Sequence, residues 1–480
     1  MRKTLLFLFS WAVVAFVAQP VKAQSAETGD ALDTLDERAF LGWVLAHHPL
    51  ARRAATLDDQ AAAYLRKARG AFDPKLSAGT YRKLFEDKTY YDLPTAGISA
   101  PTRLGITPFA EFVNPAGTQL NPERSVPESG QIAAGIRIPL GKNLITDAAR
   151  TELAKAQAYV EANAAERTLQ LNALVLDAAE AYWKWWKAAA TADLATEALT
   201  LAAWRADQIR TAHRLGDRAA IDTLEAGLQA QRREAEQLEA LADLAYARAN
   251  ALRFLWNEDG WPAAPSSDLR PLGPDAAALV NTSATLMMAS ANWRVESHPV
   301  YQAGAAKLDM AAAEIRFRRD QLKPELDLSL ATLSGTAGPS DWDLSPDGLA
   351  ATNLIGIKAA VPLLLRKERG NLELARIAQD QQQLTLDDKA AKLRAVVQGV
   401  AGGLQDLQAS AELAARVATG SRALLDAEMV RLNIGESSLF QVNYRENQWL
   451  KARKDVIDRN VRWALGNREL GFALGQMTGE

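Results

Sequence analysis

Two periodicities divide this chain. Over residues 144–213 apolar side chains recur at three- and four-residue steps, with no proline and no internal glycine. Such spacing predicts a single helix, which at about 1.5 Å per residue would reach about 105 Å. A turn, "HRLGDRAAID", follows, and a second helix is predicted to return to about Trp256. It carries a heptad at steps of four and three: Leu224, Leu228, Gln231, Ala235, Leu238, Ala242, Ala245, Ala249, Leu252 and Trp256. Farther on, Val442, Trp449, Val456, Trp463 and Leu470 stand seven apart. Sustained heptads predict helices that supercoil against neighbours, and alanine at many seam positions lets the axes approach closely.

Elsewhere the period is two. Leu326, Leu328 and Leu330 alternate with Glu325, Asp327 and Ser329, and Ile355, Ile357, Ala359 and Val361 alternate with Gly356, Lys358 and Ala360. Ile132, Ala134, Ile136 and Ile138 alternate with Gln131, Ala133, Gly135 and Arg137. A fourth segment, Leu76 through Leu84, is the weakest. Each has one apolar and one polar face, so each predicts a half-buried strand. Residues 86–127, rich in Pro, Gly, Thr and Asn, predict a long exposed loop.

The order is used twice. Residues 48–76 align without a gap to 298–326, with eleven identities in twenty-nine positions, among them His48/His298, Pro49/Pro299 and Pro74/Pro324. "IPLGKN" at 138–143 then matches "VPLLLRKERG" at 361–370, and "RLGDRAAID" at 214–222 matches "RLNIGESSLF" at 431–440. This is an internal duplication. Each copy opens a helix at an X-Pro step, where proline is tolerated in the first turn, and closes it near Gly70 or Asp320.

The two copies give a division of the chain. Residues 1–23 are a signal peptide, 24–71 N-terminal helices, and 72–140 a first β-hairpin with its long loop. Residues 141–256 are a long helix pair and 257–297, rich in Pro and Asp at its start, a linker. Residues 298–321 are the second copy's helix, 322–365 its hairpin, and 366–480 its long helix pair and C-terminus. The signal peptide is read from Arg2 and Lys3, the apolar run Leu5 to Ala18, and the small-residue end "VKA" at 21–23. Removing it takes three cations and moves the formal charge from −3 to about −6. That balance, with no basic tract, argues against nucleic acid as a partner. The chain has no cysteine, which excludes disulfides, thiol catalysis, cysteine metal sites and a lipid on an N-terminal cysteine. Beyond the signal no segment approaches eighteen consecutive apolar residues, so any membrane insertion is not by spanning helices.

Candidate chemistry is sparse. His47, His48, His213 and His298 are the only histidines, and they read as helix-start or surface residues rather than metal ligands. No nucleophile–base order, phosphate loop or isolated carboxylate pair stands out, so no catalytic, cofactor or metal residue is assigned and the chain is not read as an enzyme. Tyr182, Trp183, Trp185 and Trp186 cover more than one helix face, which fits packing better than a ligand box. Charged pairs such as Arg232/Arg233 read as solvated faces.

Four short strands in an isolated sheet would leave two open edges and an apolar face in water. Closure with further copies of the chain removes both defects. An exported strand set, apolar outside and polar inside, is the pattern of an outer-membrane barrel. The chain resembles the TolC-type outer-membrane efflux proteins over about residues 35–475. The resemblance rests on the duplicated order of elements, the X-Pro helix starts, "IPLG" and "VPLLL" at the strand ends, "AYWKW" at 181–185 and "GDRAAIDTLEA" after the first turn. It implies a mainly α fold with a small β part, in which antiparallel coiled-coil helices form an α-barrel. Four strands from each chain of a homotrimer would then make a twelve-stranded β-barrel in outer-membrane lipid. It implies a passive exit duct, without a cofactor, docked to a periplasmic adaptor (membrane fusion) protein and an inner-membrane pump.

Carried over by position, the resemblance makes Gly216, Asp217, Ile221, Gly435, Glu436 and Phe440 the periplasmic tips that meet the adaptor. Asp222, Ser437, Gln441 and Tyr444 become the constriction. Gln441 and Tyr444 stand where the family pattern has aspartates, and Ser437 stands where it has a latch arginine, so the constriction is expected to be polar and aromatic. The competing reading is a non-channel periplasmic coiled-coil spacer whose strands merely pair locally.

Overall fold

The computed structural model describes residues 34–266, 268–334 and 352–477; the expected signal peptide lies outside them. Two helices open the chain, α1 (Glu37–His47) and α2 (Pro49–Arg69). Two helices of nearly equal length dominate it, α3 (Ala148–Arg214) and α7 (Arg366–Asn433). Each is followed by a shorter returning helix, α4 (Ala220–Leu252) and α8 (Leu439–Leu474). Between the repeats lies α5 (Ala276–Ala291), and α6 (Pro299–Asp320) opens the second. Among the described residues no helix is long and apolar enough to cross a membrane.

The duplication extends to the helix caps. Pro49 and Pro299 occupy the first turn, and the preceding histidines act as N-caps: His48 Nδ1 accepts from Leu50 N at 3.2 Å, His298 Nδ1 from Val300 N at 3.1 Å. Burial pushes the His298 pKa down, outweighing a hydrogen bond to the Phe472 carbonyl that acts the other way. A lowered folded-state pKa contributes stability that is present above the unfolded value, about 6.5, and is lost as pH falls through the folded one. Acidification from pH 7 to 5 is therefore expected to lower the melting temperature, and His298→Asn, which keeps a cap acceptor, should blunt that loss. Calorimetry across this window checks it; an identical pH slope in wild type and variant would refute the assignment.

The helices form one layer, four deep on either side of an equator where α1 and α5 also pack. On one side of the equator the order by contact is α2–α3–α6–α7; on the other it is α4–α3–α8–α7. The equatorial core gathers Phe40 and Val44 of α1, Tyr182, Trp183 and Trp185 of α3, Phe254 and Leu255 after α4, and Val461 of α8. The aromatic run is thus packing, as expected. The Tyr182 hydroxyl lies 2.8 Å from the carbonyls of Leu35 and Leu272, beside the two-residue parallel pairing of β1 (Thr34–Leu35) and β8 (Arg270–Pro271). Trp183 Nε1 and the Arg468 guanidinium both donate to Glu37, tying α1, α3 and α8 together. Most of the α8 heptad is buried in the chain itself: Val442, Trp449, Trp463 and Leu470 are core residues and Val456 is half-buried.

The α4 heptad is not. Leu224 and Leu238 are each 62% exposed and Leu228 is 46% exposed. Within the chain α4 packs through a different stripe, Ala226, Gln229, Arg233 and Ala240. The expected seam therefore lies on the free edge of the layer.

The sheet departs from expectation in strand number. The four expected strands are present: β2 (Lys75–Gly79) continuing as β3 (Arg82–Phe85), β7 (Gln131–Pro139), β9 (Glu325–Ser334) and β10 (Asn353–Ala360). The predicted loop 86–127 is not a loop throughout. It contains β4 (Lys88–Asp92), β5 (Thr95–Ser99) and β6 (Thr107–Val113). The main sheet has six antiparallel strands in the order β10-β9-β7-β6-β5-β2, and β3 pairs with β4 beyond it. Glu86 and Asp87 both take positive φ, 50° and 61°, so the β3–β4 connection is a two-residue I′-type turn without the usual Asn-Gly signature. That unusual turn, with Pro94 and Pro108 inside or beside strands, hid the period-two pattern.

The two repeats meet at β7 and β9. Gly135 makes this approach possible: a Cβ there would lie 2.0 Å from the Leu330 carbonyl oxygen. At the sheet–helix joint Asn143, at φ 71°, donates its N–H to the buried Asp320 carboxylate at 2.6 Å. Arg150 braces the same joint through Asp147 and the carbonyls of Leu144 and Ile145.

Candidate functional site

The two turns at the far end of the long helices are built alike. After α3, Gly216 takes φ 87°, its N–H donates to His213 O at 3.0 Å, and Asp217 N donates to Ala212 O at 2.9 Å. After α7, Gly435 takes φ 82°, with Gly435 N to Leu432 O at 3.2 Å and Glu436 N to Arg431 O at 2.9 Å. Both are Schellman closures, which require a left-handed residue and so select glycine. The turns lie side by side: Arg218 Nη2 donates to Leu432 O at 3.3 Å, and Leu439 packs against Ala206, Ile209 and Ala226.

This end is exposed and apolar. Ile221 is 71% exposed and Phe440 67%, with Leu215 and Ile434 beside them, while Gly216, Asp217, Gly435 and Glu436 are all exposed. Asp222 is half-buried in the first turn of α4, where the helix dipole favours a carboxylate and Ala219 supplies no side-chain cap. Ser437 turns inward, its hydroxyl donating to the buried Glu428 carboxylate at 2.5 Å. Gln441 and Tyr444 are exposed on one face of α8. Among the described residues no hydrogen bond joins Asp222 to Ser437.

Just behind the turns lies a feature the sequence reading missed. Glu446 of α8 is fully buried between Arg205 of α3 and Arg233 of α4, both 5% exposed, and bonds to both. Arg205 also donates to Asn443 Oδ1 at 3.0 Å, and Arg233 to Glu236 at 2.8 Å. The expectation that Arg232/Arg233 form a solvated face is thus corrected. Arg232 is exposed, but Arg233 lies one position round the helix, on the stripe that faces α3 and α8. A usable signal was present: Glu446 falls four after Val442 and three before Trp449, a seam position where a charge demands a partner.

Long paired helices capped by tandem turns, with one antiparallel sheet at the opposite end, define the fold of the outer-membrane channel proteins. Solved structures that share it include the following three. The Campylobacter jejuni CmeC outer membrane channel is 13% identical, covering 92% of this chain and 85% of its own, with TM-score 0.62. The outer membrane protein VceC of Vibrio cholerae is 16% identical over 92% and 96%, with TM-score 0.61. The open state of the Neisseria gonorrhoeae MtrE outer membrane channel is 15% identical over 92% and 88%, also with TM-score 0.61. No curated protein matches the chain in sequence. Residues 295–476 match the family model of the outer membrane efflux proteins. Over those residues the chain is similar in sequence to the outer membrane efflux proteins, as the resemblance implied, and its fold is that of the outer-membrane channel structures.

Proposed function

We propose that three copies of the chain close into a passive exit duct, docked at its helical tips to a periplasmic adaptor and through it to an inner-membrane pump. One observation carries the reading. Among the described residues, strands from both repeats join a single sheet that has one apolar face and β2 and β10 as its outermost strands. A lone sheet of this kind is unfavourable in water, and closure with sister chains satisfies both edges and turns the apolar face to lipid. A spacer gains nothing from a sheet that links its two repeats.

The helices support the same closure. The four-deep layer ends in α4 on one side and α7 on the other, and both edges expose leucine and valine, Leu224, Leu228 and Leu238 against Leu413, Val417 and Leu424. Joining edge to edge, three layers make a ring of twelve helices. The exposed apolar tips, Ile221 and Phe440 flanked by Asp217 and Glu436, then suit contact with an adaptor's helical hairpins. Asp222, Ser437, Gln441 and Tyr444 line the constriction in this reading, and transport involves no covalent chemistry.

A single preparation tests both parts. Wild-type protein is expected in outer-membrane fractions as detergent-requiring, heat-sensitive trimers, and a photo-crosslinker at Asp217 should capture a periplasmic adaptor. Leu228→Lys combined with Leu238→Lys should yield helical monomers, because two charges cannot be buried unpaired at the inter-chain seam. Release of monomer by osmotic shock without detergent, or undisturbed trimers in the double variant, would overturn the proposal.

A further inference from the structure

The hairpin formed by β5 and β6 belongs to no expectation drawn from the sequence, and its register gives it a role. We infer that this hairpin is part of the membrane wall, so that the barrel has eighteen staves, six from each of three chains, rather than twelve; this rests on the three-chain reading above.

Three observations support it. The first is the register. Leu76, Ile98, Ala110 and Ala134 are direct cross-strand partners on β2, β5, β6 and β7, so the hairpin continues the apolar face without a break. One residue along, Ser77 and Glu111 both pair with Gly97 on the opposite face, where Arg137, Ser329 and Lys358 also lie. Phe109, Val113, Leu333 and Leu354 are the large apolar side chains on that face, and Phe109 is covered: the Arg137 guanidinium lies 4.3 Å from its ring centroid. A hairpin lying outside the wall has no reason to keep the wall's alternation in register.

The second is length. A membrane-crossing strand needs about 9–11 residues. β2 runs on into β3 over residues 75–85, and β4 into β5 over 88–99, the junction bridged by Leu93 N to Tyr81 O at 3.0 Å. β6 is prolonged by Gln119 N to Tyr90 O at 2.9 Å. All three match β7 and β9 in reach.

The third is anchorage. The β5–β6 turn comes back to the sheet–helix joint, where Gly105 lies so close to the Arg150 guanidinium that a Cβ would stand 2.9 Å from Nη2. Arg150 is the residue that braces the start of α3. The hairpin thus ends at the level where the other staves end. Barrel diameter grows roughly linearly with strand number, so eighteen staves give a wall about half as wide again as twelve.

Site-directed labelling decides the matter, since the chain has no cysteine of its own. Single variants Ile98→Cys, Ser99→Cys, Ala110→Cys and Glu111→Cys are reconstituted as trimers in phosphatidylcholine vesicles and treated with a membrane-impermeant maleimide. Leu328→Cys and Ser329→Cys on β9 serve as reference. The expected result is labelling at positions 99, 111 and 329 and loss of labelling at 98, 110 and 328. Alternation on β9 with all four hairpin positions labelled would mean a twelve-stave wall and would overturn the inference alone. Uniform labelling on β9 as well would overturn the barrel reading beneath it.

Discussion

Glu446→Ala is expected to loosen the end of the molecule that carries the two helix turns more than any other single polar substitution near the tips. The carboxylate is fully buried and bonds two guanidiniums, those of Arg205 and Arg233, which are themselves 5% exposed; Glu236 supplies a second carboxylate to Arg233. Removing it leaves the buried Arg205 bonded to the neutral Asn443 and facing Arg233, which keeps Glu236, and breaking a buried ion pair in this way costs about 3–5 kcal/mol. The three residues come from α3, α4 and α8, so the loss is shared by the packing of the returning helices rather than by one of them. Hydrogen exchange should rise along residues 439–457 and 220–240, with a lower thermal midpoint by circular dichroism, while the equatorial core around Tyr182 stays protected. Apolar replacement of all three residues should recover most of the stability, because desolvation of the charges opposes their attraction in the native state. An Ala variant as stable as wild type would show that water reaches the cluster.

Gly135→Val is expected to abolish the proposed assembly into trimers. Its Cβ would stand 2.0 Å from Leu330 O and 2.6 Å from Ala331 Cα, both backbone atoms of β9 with no rotamer to yield. The only relief is for β7 and β9 to part, and these are the strands that join one repeat to the other. Near-complete loss of heat-sensitive trimers is the expected result, with helix content retained because the helical cores do not depend on the sheet. Gly356→Ala is the matched control. On β10 a Cβ would meet only Ser329 Cβ at 3.5 Å, an ordinary contact, and trimers should persist. Normal trimer yield from Gly135→Val would mean that β7 and β9 are not paired in the assembled protein.

Much of this architecture was legible in the residues. Helix starts at Pro49 and Pro299, the turn glycines Gly216 and Gly435, and the β7, β9 and β10 strands all follow from local rules: a fixed proline φ, a left-handed cap, and a period of two. The α8 heptad likewise predicted its own burial. What escaped was non-local. Residues 88–113 carry two prolines in or beside strands and turn at Glu86-Asp87, so their strand character emerges only once β7 offers a partner edge. Arg233 looks like any surface arginine until α8 brings Glu446 against it.

By itself, then, the sequence determined the duplicated order of elements, the length of the helices and the faces that alternate, because each is set within a few residues by backbone geometry and side-chain spacing. Only the tertiary structure decided that the sheet has six strands, that the α4 leucines face outward, and that three helices close on one buried carboxylate. Those outcomes depend on which surfaces meet across hundreds of residues, and a polar or apolar side chain acquires its energetic meaning only from what it is buried against.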